Sequence, residues 1–142
     1  MKRRHVKSTY RSGLEDTNHE ILTTSGVHFE YEPKDKKIKY TKPSTNHSYL
    51  PDFILTTRNS GSTIYIETKG IWDHADRTKH LLIRQQYPEL DIRFVFSRSG
   101  SKIRKGSKTT YRDICEGRGR GVFKEVSWKY ADKTIPREWL DE

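Results

Sequence analysis

Asp52 follows Pro51 at the head of an apolar run, and Glu67-Thr68-Lys69 closes the next such run. Residues two apart on a strand project to the same face, so Glu67 and Lys69 share a side. If the two runs pair as a hairpin, Asp52 lies beside Glu67. Adjacent carboxylates repel, and a divalent cation between them relieves the repulsion. Mg²⁺ takes carboxylates, carbonyls and water, so Asp52, Glu67 and the Thr68 carbonyl form a suitable donor set. An ion held there can activate a water, neutralise phosphate oxygens and stabilise a leaving oxygen, which is what phosphodiester hydrolysis requires. Two ions about 4 Å apart serve best, and the second needs a further carboxylate. Lys69 adds fixed positive charge beside the scissile phosphate, and can orient or deprotonate the attacking water. The plain alternative is a solvated strand face for Glu67 and Lys69 and a turn role for Asp52.

Other candidates carry weaker patterns. Glu15 stands three residues after Ser12, where it completes a helix capping box or supplies the missing carboxylate. His74 and His80 lie near Asp73 and Asp76, but no cysteine or further histidine completes a metal set, so capping and phosphate contact are favoured. Cys115 has no nucleophile pattern around it and reads as a semi-buried side chain.

Composition narrows the partner. The 142-residue chain has the size of one domain. Only 31% of it is hydrophobic, yet 11% is aromatic and the apolar residues gather into runs, so a folded domain is expected. Lys and Arg number 28 against 19 Asp and Glu, a formal charge of +9. A surface this basic neutralises phosphates and releases counterions, which makes nucleic acid the expected partner. Candidate phosphate contacts are Lys2, Arg3, Arg4, Lys7 and Arg11 in a flexible arm over 1–11, and a stripe of Arg77, His80 and Arg84. Lys102, Arg104, Lys105 and Lys108 in a Ser/Gly-rich loop complete the set. The single cysteine excludes an intramolecular disulfide and fits a reducing, cytoplasmic setting. No apolar stretch approaches the roughly 20 residues of a membrane helix, and no apolar segment follows the basic N-terminus as a secretory signal requires. The sequon Asn46-His47-Ser48 then reads as chance.

The elements that must position these groups follow from periodicity. A helix is expected from Ser12 to a Gly26 cap, with Leu14, Ile21 and Leu22 on one face. Val27 to Tyr31 and Ile38 to Tyr40 read as short strands around a charged turn at Pro33 to Lys37. Pro43 to His47 is polar and turn-like, a candidate linker. Asp52 to Thr57 and Thr63 to Thr68 read as a hairpin about Asn59-Ser60-Gly61. A helix from His74 to Tyr87, stopped by Pro88, leads to a strand over Asp91 to Phe96. A short helix at Tyr111 to Glu116, a Gly/Arg run over 117–121 and a short docked helix after Ile135 complete the chain. The order predicts one mixed α/β domain over 12–142.

Longer runs carry a resemblance. Tyr10-Arg11-Ser12-Gly13-Leu14-Glu15-Asp16, Phe29-Glu30-Tyr31-Glu32, Asn46-His47-Ser48-Tyr49 and Pro51-Asp52-Phe53 follow in order. Ile66-Glu67-Thr68-Lys69-Gly70-Ile71-Trp72, Lys79-His80-Leu81-Leu82-Ile83-Arg84 and Pro88-Glu89-Leu90-Asp91-Ile92-Arg93 continue the series, with Tyr130-Ala131-Asp132-Lys133 and Ile135-Pro136 beyond. Together they resemble the phage endonuclease I family of junction-resolving nucleases, over nearly all of the chain from Tyr10. The resemblance implies a restriction-endonuclease-like α/β fold and Mg²⁺-dependent cleavage of four-way (Holliday) and other branched DNA, with Mn²⁺ also accepted. It implies Asp52, Glu67 and the Thr68 carbonyl on one ion, Glu15 and Asp52 on a second, Lys69 as catalytic lysine, and Glu30 near the site. It also implies an intertwined homodimer, with 43–49 as the bridge that swaps between protomers, and no small-molecule cofactor. Gly117 to Trp128 looks inserted relative to the family, and its longer basic C-terminal tail has no counterpart here. DNA affinity and junction selectivity are therefore open to change. A sequence-specific restriction-type nuclease and a non-catalytic DNA clamp are the rival readings.

Overall fold

The computed structural model describes residues 13–42 and 45–142. The arm expected over 1–11, with Lys2, Arg3, Arg4, Lys7 and Arg11, and the Ser12 cap lie outside the described residues.

Helix α1 spans Gly13–Ser25 and stops at Gly26, whose φ of +73° is the left-handed cap conformation that glycine adopts without a Cβ clash. Buried Asn18 fastens it: its amide donates to the Lys133 carbonyl, and its oxygen accepts the Ile135 N–H at 2.8 Å. Strands β1 (Phe29–Tyr31) and β2 (Ile38–Lys42) flank a one-turn helix at Lys34–Lys36. Strand β3 (Thr45–Tyr49) lies antiparallel to β2, so the segment read as a turn-like linker is a second hairpin arm within this chain. Polar residues there face solvent on an edge, which an amphipathic pattern does not reveal; only Tyr49 at its end is buried.

The central hairpin forms as its alternation predicts. Strands β4 (Phe53–Thr56) and β5 (Thr63–Lys69) pair antiparallel, with Phe53 opposite Ile66. Helix α2 (His74–Gln86) crosses to β6 (Ile92–Phe96), which runs parallel to β5. Then come α3 (Tyr111–Cys115), a small hairpin of β7 (Glu116–Arg118) and β8 (Lys124–Ser127), β9 (Tyr130–Asp132) parallel to β6, and α4 (Arg137–Asp141). The result is a five-stranded mixed sheet, β1-β4-β5-β6-β9, flanked by helices. All five residues of β6 are buried, because both faces of a central parallel strand are covered.

One face packs Phe53, Leu55, Ile64, Ile66 and Val95 against Leu22 and the C-terminal Ile135 and Leu140. The other packs Phe94 and Phe96 against Trp72, Leu81, Tyr111 and Ile114, and the segment expected to be an insertion closes it with Phe123 and Trp128. The Gly/Arg run is thus structural. A Cβ on Gly119 would lie 2.7 Å from the Phe123 Cβ and 2.9 Å from its carbonyl oxygen. Gly119→Ala is expected to cost about 1–3 kcal/mol, read as a lower urea midpoint. An unchanged midpoint would show that this hairpin yields without strain.

Helix α2 splits the stripe expected to contact phosphate, burying Arg77 and His80 and leaving Arg84 exposed. Arg77, His80, Leu81 and Ile83 turn inward, while Ala75 and Gln86 are exposed. Arg77 spends its charge on a hydrogen bond from Nη1 to the Trp72 carbonyl.

Candidate active site

Three elements converge on Asp52. Continuing the β4–β5 register places it opposite Glu67. The Asp52 carboxylate Oδ2 accepts the Thr68 N–H at 2.9 Å and the Thr68 hydroxyl at 2.8 Å, and only 3% of the residue is exposed. Its backbone carbonyl accepts the Glu32 N–H at 3.0 Å, which draws the end of β1 alongside. From the other side, α1 delivers Glu15, 5% exposed, whose Oε2 accepts the Tyr31 hydroxyl at 2.6 Å. Carboxylate oxygens of Glu15, Glu32 and Asp52 all lie within 4.8 Å of one another. Such a set of hard oxygen donors suits a divalent cation.

Glu67 stands on the same strand end, facing the α2 side. Its Oε2 accepts the Tyr49 hydroxyl at 2.6 Å and its Oε1 lies 3.3 Å from the Lys69 ammonium. Burial, then the neighbouring Asp52, pushes its pKa up to about 7 against the pull of Lys69, Tyr49 and Lys79. Lys69 Nζ lies equally close, 3.3 Å, to Asp76 Oδ2 on the first turn of α2. Burial works against its charge, but Glu67 and Asp76 outweigh it and hold the ammonium above the usual lysine pKa. Asp73 caps that helix by accepting the Asp76 N–H at 2.8 Å.

Asp52 is therefore common to both groups: it sits within the Glu15–Glu32 cluster and is close enough to Glu67 to raise its pKa. Glu15, Asp52, Glu67, Thr68 and Lys69, singled out from sequence, come together. Glu30 does not join the acid cluster. It pairs across the sheet with Ile54 and forms an ion pair with Lys36. Glu32 takes the place expected for it, because β1 ends at Tyr31 and the φ of +42° at Glu32 breaks the strand alternation. Sequence reasoning gave no site role to Glu32, Tyr31 or Tyr49, and weighed Asp76 only beside His74 and His80, not as a partner of Lys69. The paired Glu-Tyr-Glu spacing was the available signal for the first two.

Among the expected phosphate contacts, Arg77 and His80 are 4% and 1% exposed, so neither offers its side chain to a duplex in this structure. Arg84 is exposed beside the Trp128 ring. Lys102, Arg104, Lys105 and Lys108 are all exposed on the loop between β6 and α3. That loop closes on itself through the Lys102–Thr110 bridge and an Ile103 N–H to Thr109 carbonyl bond, with Ile103 tucked against the Trp72 cluster.

The pKa of Glu67 has a consequence for stability. Between pH 4.5 and about 7 the folded protein keeps a proton that the unfolded chain releases. Its contribution therefore weakens stability as pH rises through that window. In EDTA, the melting temperature of the parent is expected to fall relative to that of Glu67→Gln as pH climbs from about 5 to about 8. Parallel curves for the two proteins would contradict the shift.

A family model described as phage endonuclease I matches residues 1–142. Endonuclease I of Escherichia phage T7 is 49% identical over 133 residues, covering 94% of this chain and 79% of that protein. Endodeoxyribonuclease 1 of Enterobacteria phage T3 is 49% identical over 127 residues, covering 89% and 74%.

Proposed function

The chain belongs to the phage endonuclease I family, and from that premise we propose a Mg²⁺-dependent deoxyribonuclease that cuts four-way and other branched DNA by phosphodiester hydrolysis. The deoxyribonuclease class follows from the family and the two named relatives. The observation that carries the metal-dependent reading is Asp52, a buried carboxylate shared between the Glu15–Glu32 cluster and Glu67.

Asp52, Glu67 and the Thr68 carbonyl would hold one ion; Glu15 and Asp52, with Glu32 alongside, would hold a second. Mn²⁺ satisfies the same oxygen donors. Bound there, a divalent cation supplies charge neutralisation at the scissile phosphate and lowers the pKa of coordinated water. Lys69, fixed between Glu67 and Asp76, orients the attacking water and offers its ammonium to a phosphate oxygen. Buried Glu67 and Asp52 keep the reacting side poor in bulk water, which strengthens each of these interactions.

Branched DNA is read through shape and backbone rather than base edges, with Arg84 and the loop cations Lys102, Arg104, Lys105 and Lys108 on phosphates. The N-terminal cations Lys2, Arg3, Arg4, Lys7 and Arg11 belong to the same proposal. The fold class is restriction-endonuclease-like, and the working unit is a homodimer in which the 43–49 segment, whose Thr45–Tyr49 part pairs with β2 of its own chain here, would open to bridge and swap, so that two linked sites meet opposed strands of a two-fold junction. Among the described residues no helix is long and apolar enough to cross a membrane, and the proposed place of action is the host cytoplasm, where the DNA is.

The test compares a fixed four-way junction with a linear duplex of equal length, with Mg²⁺ or EDTA. Paired cuts near the branch that vanish in EDTA are expected. Equal cutting of both DNAs would remove the junction reading, and binding without cuts would favour a clamp. Affinity is expected to fall with salt at a log–log slope of about −0.9 per phosphate contact, reduced by roughly one contact for Lys105→Ala. A flat salt curve would remove the basic surface from recognition.

A further inference from the structure

Three carboxylates at the site, those of Glu15, Asp52 and Glu67, each have one oxygen tied by a hydroxyl. Tyr31 donates to Glu15, Thr68 to Asp52 and Tyr49 to Glu67. The third tie is the least expected, since Tyr49 comes from the edge hairpin rather than the main sheet. Its ring is 1% exposed and is gripped by α2. His80 meets it edge-to-face at 5.0 Å and 83°, and Lys79 Nζ sits 5.0 Å from its centroid. His80 in turn rests edge-on against Phe94 at 4.8 Å. Neither His80 ring nitrogen has a hydrogen-bond partner among the described residues, and burial keeps the imidazole neutral. His80 thus serves as an aromatic wall, not as a phosphate ligand.

We infer that Tyr49 is a positioning residue for Glu67: its phenol, clamped by His80 and Lys79, fixes one carboxylate oxygen so that the other faces Lys69 and the ion-binding side shared with Asp52. The inference rests on the metal-dependent reading above. Groups that orient a ligand carboxylate typically influence metal affinity by 10–100-fold. A hydroxyl is the needed feature, since Phe would keep the ring contacts and lose only the tie.

The experiment is a calorimetric titration of Mn²⁺ alone into DNA-free protein, for the parent and Tyr49→Phe, with steady-state cleavage alongside. Tyr49→Phe is expected to bind Mn²⁺ about 10–100-fold more weakly and to lose kcat while KM for DNA stays put. In a Glu67→Gln background the same change is expected to add little, because its effect passes through Glu67. Parental Mn²⁺ affinity and kcat in Tyr49→Phe overturn the inference and leave the nuclease reading intact. A parent that binds no ion overturns both. Should Tyr49→Phe fail to fold, Lys79→Ala loosens the clamp from its outer side: a several-fold loss of Mn²⁺ affinity supports the inference, and no loss overturns it.

Discussion

Replacing Asp52 with Asn is expected to lower cleavage by about 10³-fold or more, equivalent to roughly 4 kcal/mol of barrier, with junction binding and fold preserved. Asn is nearly isosteric and retains an oxygen to accept from the Thr68 N–H and hydroxyl, so the β4–β5 end stays in place. What it loses is the charge that stands at the meeting point of Glu15, Glu32 and Glu67. Both proposed ions depend on that one group, so no neighbouring carboxylate compensates. Removing the charge should also let Glu67 titrate closer to an ordinary carboxylate, since Asp52 is among the causes of its raised pKa. Junction cleavage under single-turnover conditions, with a gel-shift assay on the same preparation, checks both halves. A loss below about tenfold would mean that the shared-ligand arrangement does not run the reaction.

The second large effect concerns the frame. Trp72→Ala is expected to destabilise the protein by about 3–5 kcal/mol, a fall in melting temperature on the order of 10 °C. Trp72 is fully buried and packs on Phe94 at 4.9 Å, Phe96 at 5.4 Å and Trp128 at 5.6 Å. Its backbone is held as well, the N–H by the Tyr111 hydroxyl and the carbonyl by Arg77. It lies three residues beyond Lys69, so the turn that seats the ammonium near Asp76 leans on it. Trp72→Phe, which fills most of the space, should lose less stability and retain more cleavage. Urea midpoints for the two variants decide the point; a Trp72→Ala shift under about 1 kcal/mol would show that the aromatic cluster is not what holds that face.

The pairing of Asp52 with Glu67 was legible because a hairpin with period-two alternation has few registers that bury its apolar set. The same logic failed where polar residues occupy a strand. Thr45 to Ser48 carry no apolar alternation, so β3 resembles a loop. Strands β8 and β9 are short and largely exposed or half-buried, and the place of β9 follows from pairing with β6, which is distant in sequence. Arg77 and His80 were misplaced for a different reason. Their charge suggested a solvent stripe, whereas a buried backbone carbonyl and an aromatic wall gave them reasons to turn inward. Glu30 and Glu32 show the finest limit: which one enters the cluster depends on a single positive φ that no periodicity encodes.

Strand β5, which carries Glu67, Thr68 and Lys69, is hydrogen-bonded along both edges, antiparallel to β4 and parallel to β6. Its amides can meet solvent only when the sheet itself separates, so their hydrogen exchange is governed by global opening. The β2–β3 hairpin, with four of the five β3 residues exposed, can open by local excursions at far smaller cost. The molecule therefore has a gradient of local stability. Its reacting groups sit at the slowest-opening end, and Tyr49, a phenol that reaches them from outside the main sheet, hangs from the fastest. Fraying of that hairpin would register at Glu67 as an intermittent loss of its tether, with β5 itself undisturbed.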